Sequence, residues 1–265
     1  MGKREKFLKK TREQMIEALR SRDIFLAKLN SSIEELDGVI NLLGERLEDM
    51  FKLYTPNLEL KDREKYASMV SYFEGKFDHK ELSKLLGSAK ANEVIASIDI
   101  KDAKEGDWDK CREFAYEIVR LYELRKEMEK YQEIVCKDEC PNLTHVGGAS
   151  IAAKLIAHVG SLKRLALMPA STIQVIGAER ALFKHLKNRK VRPPKHGILF
   201  QHPIISNSPK KVRGKIARTL AAKLASAAKA DAFTKNFIAE KLKNEFDERC
   251  RLVMEEYKKG KKDKN

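Results

Sequence analysis

Lysine and arginine side chains recur at helical spacing in the C-terminal half of the chain, where the groups that they could bind are phosphates. Two sets of three cations stand at positions i, i+4 and i+7, which places each set on one face of a helix: Arg180, Lys184 and Lys187, then Lys211, Lys215 and Arg218. A basic, proline-stiffened loop from Arg189 to Lys195 lies between the two sets. Two cationic stripes and a basic loop can follow a phosphate backbone, so the pattern predicts nucleic-acid binding.

The distribution of charge favours the same interpretation. Residues 1–140 contain 27 Lys and Arg against 30 Asp and Glu, whereas residues 141–265 contain 27 against 9, so the net charge of +15 is the sum of −3 and +18. Between residues 141 and 235 the only acids are Glu179 and Asp231. A segment this basic repels itself, which indicates a polyanionic partner.

Gln201 and His202 precede a proline in the loop between the two basic stripes. An imidazole there could stack on an unpaired base, and the amide of Gln201 could hydrogen-bond a base edge. A single loop histidine is also typical of ordinary packing, and from the residues alone both interpretations stay open.

Catalytic and metal-binding patterns are missing from the sequence. It contains no glycine-rich phosphate loop, no nucleophile elbow and no HExxH motif, and its histidines are scattered singly. Cys136 and Cys140 have no second Cys or His pair at zinc-site spacing. Neither a run of 18 apolar residues nor the apolar core of a signal peptide occurs. We therefore expect a soluble intracellular protein that is not an enzyme and that uses no cofactor or metal.

Two long apolar seams precede the basic half. From Leu26 to Tyr54 the apolar positions are spaced by alternating three and four residues, as in a coiled coil, and they include Leu29, Ile33, Leu36, Ile40, Leu43 and Leu47. We expect this helix to end at residues 55–57, where a proline follows a threonine. A second seam runs from Cys111 to Val135, ends before Pro141 and predicts an antiparallel pair with the first. Short helices in 63–105 would either only close the tip of this arm or form a dimerisation surface.

Short alanine-rich helices are predicted beyond Pro141. Glycines, prolines and capping residues place them at 147–159, 162–168, 172–188, 209–233 and 236–257, with an irregular stretch at 191–209. In the helix 172–188 the apolar side chains opposite the cations are expected to be buried, namely those of Val175, Ile176, Leu182, Phe183 and Leu186. The predicted protein is all-α: an N-terminal helix and coiled-coil arm (1–140), a compact helical domain that binds nucleic acid (141–258) and a disordered basic tail (259–265).

Two stretches of the basic half resemble the Nop domain. They are PNLTHVGGASIAAKLIAHVGSLKRLALMPASTIQVIGAERALFKHLK and PPKHGILFQHPIISNSPKKVRGKIARTLAAKLASAAKADAF, which together cover nearly all of 141–233. The upstream stretch SRDIFLAKLNSSIEELDGVINLLGERLEDMFKLYTPNL is similar to the coiled-coil arm of archaeal Nop proteins.

This resemblance implies a subunit of box C/D ribonucleoproteins, which guide 2′-O-methylation of RNA. Such a subunit docks on a kink-turn RNA together with its kink-turn-binding protein, forms homodimers through the coiled coil and positions the methyltransferase fibrillarin. It acts in the cytoplasm of archaea and in the nucleus or nucleolus of eukaryotes.

By position, the resemblance also assigns roles to individual residues. Two adjacent family motifs that lie near the RNA match Gly177, Ala178, Glu179 and Arg180, followed by Ala181, Leu182, Phe183 and Lys184. The apolar members of the second motif would pack or abut the guide duplex. His202 matches a histidine that sits against an RNA loop, and the basic helix of the family contains Lys211, Arg213, Lys215 and Arg218.

The chain departs from the family at its start. Family members carry a folded N-terminal domain that holds fibrillarin, whereas only about 20 residues precede the arm here. We therefore expect either a fragment or a short relative that does not recruit the methyltransferase itself. Two further alternatives stay open: the splicing-factor branch of the same family, and a coiled-coil scaffold whose basic domain binds an acidic protein.

Overall fold

The computed structural model describes residues 2–54, 58, 60–98 and 104–262, and its regular elements within those ranges are helices, with no strand among them. The α-helices are α1 (Lys3–Leu19), α2 (Arg22–Phe51), α3 (Arg63–Ser71), α4 (His79–Leu86), α5 (Ser88–Ala96), α6 (Glu105–Glu139), α7 (Pro141–Gly147), α8 (Ala149–Val159), α9 (Leu162–Leu167), α10 (Ala170–Val175), α11 (Glu179–Lys187), α12 (Pro203–Ser206), α13 (Arg213–Lys229) and α14 (Ala239–Lys262). A 3-10 turn spans Ile198–Gln201 and a π-helical turn spans Ala230–Thr234. The all-helical class predicted from the sequence is confirmed.

The chain divides into two compact units, which are residues 1–31 with 130–265 and residues 32–129. We call them the first and the second unit. The predicted boundary at Pro141 stays a prediction. Helix α14 continues to Lys262, inside the segment expected to be a disordered tail, and residues 263–265 lie outside the described residues.

Aromatic side chains fill the core of the second unit. Phe73 is fully buried, and its ring centroid lies 5.1 Å from that of Phe51, 4.8 Å from that of Phe77 and 6.1 Å from that of Trp108. The pairs with Phe51 and Trp108 are edge-to-face, and such pairs contribute about 0.5–1.5 kcal/mol each beyond the area that they bury. They pack the segment between α3 and α4 against the end of α2 and the start of α6.

Within each unit, α2 and α6 run antiparallel. In the first unit, Arg22 pairs with Asp138 at 3.5 Å, and the buried amides of Asn30 and Gln132 are joined at 3.2 Å. In the second unit, Arg125 pairs with Asp37, whereas residues near the end of α2 share a core with Cys111 and Ile118 near the start of α6. Because residue numbers rise along one helix as they fall along the other, the contacts agree with the predicted antiparallel direction.

The predicted seam residues of α2 differ in how deeply they are buried. Four of them are buried, namely Leu29, Ile33, Ile40 and Leu47, whereas Leu36 and Leu43 are partly exposed. The helix ends at Phe51, and the predicted stop at residues 55–57 lies outside the described residues. A coiled coil in the strict sense stays a prediction.

Helix α13 forms the centre of the first unit. Its side chains from Ile216 to Ala228 include a buried stripe of alanine and leucine that packs against α7, α9, α10 and α14. Small residues allow this close packing: a Cβ at Gly147 of α7 would lie 2.9 Å from a methyl group of Leu224.

Several helix boundaries predicted beyond Pro141 are wrong. The helix expected over 147–159 begins at Ala149, because Gly148, with a φ of +86°, interrupts the helical backbone. The helix expected over 172–188 is interrupted at Gly177, whose φ is +83°, and so becomes α10 and α11. Glycine adopts left-handed backbone at little cost, so one residue can redirect a pattern that reads as continuous.

Later boundaries also shift. A turn at residues 209–212 precedes α13, which begins four residues after the predicted start, and α14 begins at Ala239 rather than at residue 236. The stretch 191–209, expected to be irregular, contains the 3-10 turn and α12. In the described part of the chain, the helices are too short or too polar to span a lipid bilayer.

Candidate nucleic-acid interface

Within the first unit, helix α11 and the basic loop after it form a segment whose two ends meet. The ends are joined by backbone hydrogen bonds: the N–H of Gly197 donates to the carbonyl of Gln174 at 3.1 Å, and that of Ile198 donates to Ile176 at 2.8 Å. Glycine is needed at this closure, because a Cβ at Gly197 would lie 1.8 Å from the carbonyl oxygen of Ile176. We call residues 178–196, held at this base, the basic excursion.

Helix α11 buries none of its residues. Its predicted phosphate-binding side chains Arg180, Lys184 and Lys187 are exposed, as is Arg189 in the loop. The expected burial of Phe183 and Leu186 is wrong, since these side chains are 66% and 51% exposed. The reason is that α11 belongs to the excursion, and in the described part of the chain no element covers its apolar side.

The other apolar residues predicted to be buried in 172–188 differ in their exposure. Ile176 is buried at the base of the excursion, where its carbonyl closes the loop, whereas Val175 and Leu182 are partly exposed. Of the other motif residues, Gly177 and Ala181 are exposed and Ala178 is partly exposed. The motif thus presents most of its surface to solvent.

The basic loop forms one wall of a cationic groove, and helix α13 with the turn before it forms the other. Five cations line it, together with Gln174, two prolines and Gly214, around a volume of about 370 Å³: Arg192, Lys195, Lys211, Lys215 and Arg218. The walls approach closely because position 214 is a glycine, where a Cβ would lie 3.3 Å from the side chain of Lys195. One cation of the groove has an acidic neighbour, since Lys215 lies 3.5 Å from Glu256 of α14.

Arg213 is engaged within the protein. Its guanidinium donates to the carbonyls of Ser206 at 2.9 Å and Ser208 at 2.7 Å, and lies 5.1 Å from the centroid of the Phe200 ring. That ring in turn stacks on His196, with centroids 4.7 Å apart. Arg213 therefore fastens the turn before α13, and contact with RNA remains a prediction for it.

Gln201 and His202 point to different environments. The His202 side chain is 6% exposed, packs edge-on against Phe246 and accepts a hydrogen bond from the N–H of Ile204, which caps α12. Burial, and the nearby charge of Lys243, lower the pKa of this imidazole. Gln201 is exposed, and its side-chain oxygen accepts a hydrogen bond from Lys154 at 2.8 Å. Of the two predicted RNA-binding residues, only Gln201 presents its side chain to solvent.

The two acids of residues 141–235 are both held by neighbouring groups. Asp231 is 1% exposed and accepts hydrogen bonds from the N–H groups of Asn142 and Leu143, so it caps the start of α7. Glu179 accepts from the N–H of Gly177 at 2.7 Å and pairs with His158 at 2.8 Å. Partial burial opposes ionisation of Glu179, but these hydrogen bonds and His158 lower its pKa. Both acids are therefore engaged within the protein, Asp231 in the core and Glu179 at the start of α11.

Lys154 and His158 were missed by the sequence interpretation. Each contacts a predicted site residue from helix α8, Lys154 holding Gln201 and His158 holding Glu179. A signal did exist, because both are polar and four residues apart in a helix that is otherwise mostly apolar. Their partners, however, lie 47 and 21 positions further along the chain, where periodicity gives no information.

The four cysteines are free and buried. A hydrogen bond with Cys136, and burial, raise the pKa of the Cys140 thiol, and burial raises that of Cys250 to about 11. Thiols in this state are poor nucleophiles. Within the described ranges, no three His, Cys, Asp or Glu residues come together as a metal site would require.

Comparisons with known proteins agree with these features. Residues 32–252 match the profile of the family described as "Nop: snoRNA binding domain, fibrillarin". An uncharacterized NOP5 family protein of Methanocaldococcus jannaschii is 41% identical over 246 residues, which cover 90% of this chain and 59% of that protein. Nucleolar protein 58 of Saccharomyces cerevisiae is 32% identical over 221 residues, covering 81% of this chain and 43% of its own length.

Among solved structures, a crystal structure of a fibrillarin/Nop5p complex contains a chain with 33% sequence identity and a TM-score of 0.58. The match covers 94% of this chain and 78% of that one. By contrast, the chain spans only about two fifths to three fifths of the length of the NOP5 family protein and of nucleolar protein 58.

Proposed function

Since the chain belongs to the family of Nop snoRNA-binding domains, we propose that it is a non-catalytic RNA-binding scaffold of a box C/D-type ribonucleoprotein. In this proposal it recognises a kink-turn RNA together with the protein already bound to that RNA, and it supports guided 2′-O-methylation. The observation that carries the proposal is the groove in which two separate basic segments meet.

The groove suits a phosphate backbone. It combines Arg192 and Lys195 of the basic loop on one side with Lys215 and Arg218 of α13, and Lys211 of the turn before α13, on the other. All five are exposed, so they can exchange water and counterions for phosphate oxygens. Contacts of this kind position a nucleic acid without reading its sequence, which suits recognition by shape.

A composite partner of RNA and protein suits helix α11. This helix exposes Arg180, Lys184 and Lys187, which can bind phosphates. It also exposes the apolar side chains of Phe183 and Leu186. Free apolar side chains beside cations fit a partner that offers both apolar surface and negative charge. A kink-turn RNA with its bound protein offers both.

The arm supports a homodimer. Besides the buried seam, α2 exposes a second apolar stripe that contains Val39, Leu42 and Met50, which are 47%, 54% and 41% exposed. Apolar stripes at spacings of three and four residues pair with other helices. We propose that a second copy covers this stripe. The chain spans only part of the length of its relatives. We therefore propose fibrillarin recruitment for the assembled particle and not for this chain by itself.

An electrophoretic mobility shift with a kink-turn RNA tests the proposed function. We expect weak binding to the RNA alone and much tighter binding once the kink-turn-binding protein is added. Six phosphate contacts would give a slope of log K against log salt of roughly −4 to −5. Equal binding with and without the second protein, or an affinity that does not depend on salt, would refute the proposal.

The exposed apolar side chains of α11 also leave room for an acidic protein as the partner. Replacing Arg180, Lys184 and Lys187 by glutamate separates the two functions. RNA association is lost if these cations face RNA. It survives if the chain is a coiled-coil scaffold that uses this surface for a protein.

A further inference from the structure

Helix α8 carries two polar side chains on one face. Lys154 and His158 are four residues apart and so stand one above the other, whereas the neighbouring residues Ile151, Leu155 and Val159 are buried in the core. The buried side fixes α8 in the first unit. The two polar side chains are thereby held on a rigid support.

Lys154 determines which way the Gln201 amide faces. An ammonium group can only donate hydrogen bonds, so it contacts the side-chain oxygen of Gln201, at 2.8 Å, and not the nitrogen. The NH2 group of the exposed amide is then left for a partner. This group can pair with acceptor atoms of a base, such as a purine N7 or a carbonyl oxygen, and it cannot pair with an amino group.

His158 determines where helix α11 begins. Its Nε2 lies 2.8 Å from Glu179, the first residue of α11, and the same carboxylate also accepts from the N–H of Gly177. Helix α11 buries none of its own side chains, so its placement depends on such links at its start. The His158 contact connects that start to the core.

We propose that Lys154 and His158 are positioning residues, through which one face of α8 places the α11 motif and the Gln201 amide, as a hydrogen-bond donor to an unpaired base, in fixed relation to each other. The proposal rests on the proposed function, since it names what presents the RNA-contacting groups. It assigns neither residue a contact with RNA of its own.

The test for Lys154 measures the affinity of the full chain for a kink-turn RNA with its bound protein, over a series of salt concentrations. Lys154→Met keeps most of the length of the side chain and removes the donor. We expect about two- to fivefold weaker binding with an unchanged salt slope, and recovery with Lys154→Arg. Lys154→Met combined with Gln201→Ala should be no weaker than Gln201→Ala alone, because both remove one interaction.

Lys163→Met is the matched control, since it removes one exposed cation from α9. A salt slope that becomes shallower by about 0.7 to 0.9 in Lys154→Met would mean that Lys154 itself contacts a phosphate, and the positioning role would be overturned. Additive effects of the two substitutions would overturn it as well.

For His158, the substitutions are His158→Ala and Glu179→Gln, alone and together, with Ser150→Ala as the control on the same face of α8. We expect His158→Ala and Glu179→Gln each to weaken binding by about two- to fivefold, with the double variant similar to the two single ones. Helicity should stay the same in all variants. No change in affinity for His158→Ala, or additive losses, would contradict the proposal. If the unaltered chain fails to bind the complex, the proposed function itself fails, and that result is distinct from those for the variants.

Discussion

The His202 ring lies in the protein interior, where burial favours its neutral form. Its pKa lies below the ordinary value of 6.5, first because of burial and then because of Lys243, with Asp247 acting in the opposite direction. In the unfolded chain the imidazole binds a proton as the pH falls through about 6.5, whereas the folded protein resists this until a lower pH. Stability from this residue is therefore complete above that value and is lost as the pH falls below it.

We accordingly expect His202→Asn, which keeps a capping side chain for α12, to reduce the loss of stability on acidification. The measurement is the free energy of unfolding in urea at about pH 7.5 and about pH 5.5, on either side of the ordinary histidine pKa. The native chain should lose more stability between the two than the variant. Equal losses would show that another group controls this range.

The same position shows what residue types alone could predict. The sequence identified Gln201 and His202 as a pair that could meet RNA, but it left open whether His202 contacts a base or packs inside the protein. That choice is made by the turn at Ile198–Gln201, which directs His202 towards Phe246 on a helix more than 40 residues away. Contacts over such a separation leave no trace in local spacing.

At the scale of elements, the excursion depends on two glycines that bring its ends together. At Gly177 a left-handed φ of +83° turns the chain, and at Gly197 the backbone approaches Ile176 more closely than a Cβ allows. Gly197→Ala should therefore separate the base of the excursion and destabilise the first unit by about 1–3 kcal/mol or more. Thermal unfolding followed by circular dichroism measures this.

Gly38→Ala is the matched control for that substitution. Gly38 lies in helix α2 with no other atom within 4 Å of an added Cβ, so alanine there should be neutral or stabilising by up to about 1 kcal/mol. RNA binding should fall with Gly197→Ala and stay unchanged with Gly38→Ala. A Gly197→Ala variant as stable as the native chain would mean that the closure of the excursion is not tight.

Helices were predicted correctly where one apolar spacing continues through a long segment. The apolar spacing in α2 and α6 predicted two long helices, and each is a single helix of 30 or 35 residues. It fails where one residue overrides the pattern, as Gly177 does in dividing 172–188. It also fails for Phe183 and Leu186, because an apolar face predicts burial only if another element covers it. Whether that cover comes from the same chain or from a partner is not encoded in the period.

At the scale of the whole molecule, the charge divides between two tasks. Residues 1–140 have a net charge of −3 and hold the seams, whereas residues 141–265 have +18 and hold the groove. The near-neutral part can approach a second copy of itself without strong repulsion, and the basic part attracts a polyanion. Self-association and RNA binding should therefore respond to different substitutions.

Val39→Asp with Leu42→Asp places charge on the exposed stripe of α2 and leaves the buried seam intact. We expect this variant to sediment as a monomer of 30.3 kDa, whereas the native chain sediments at twice that mass.

Lys215→Glu with Arg218→Glu reverses two charges of the groove and should keep the dimer. Its salt slope for RNA binding should become shallower by roughly 1.4 to 1.8, the share of two phosphate contacts. A dimer that persists in the first variant would place the self-association surface elsewhere, and an unchanged slope in the second would remove the groove from the RNA interface.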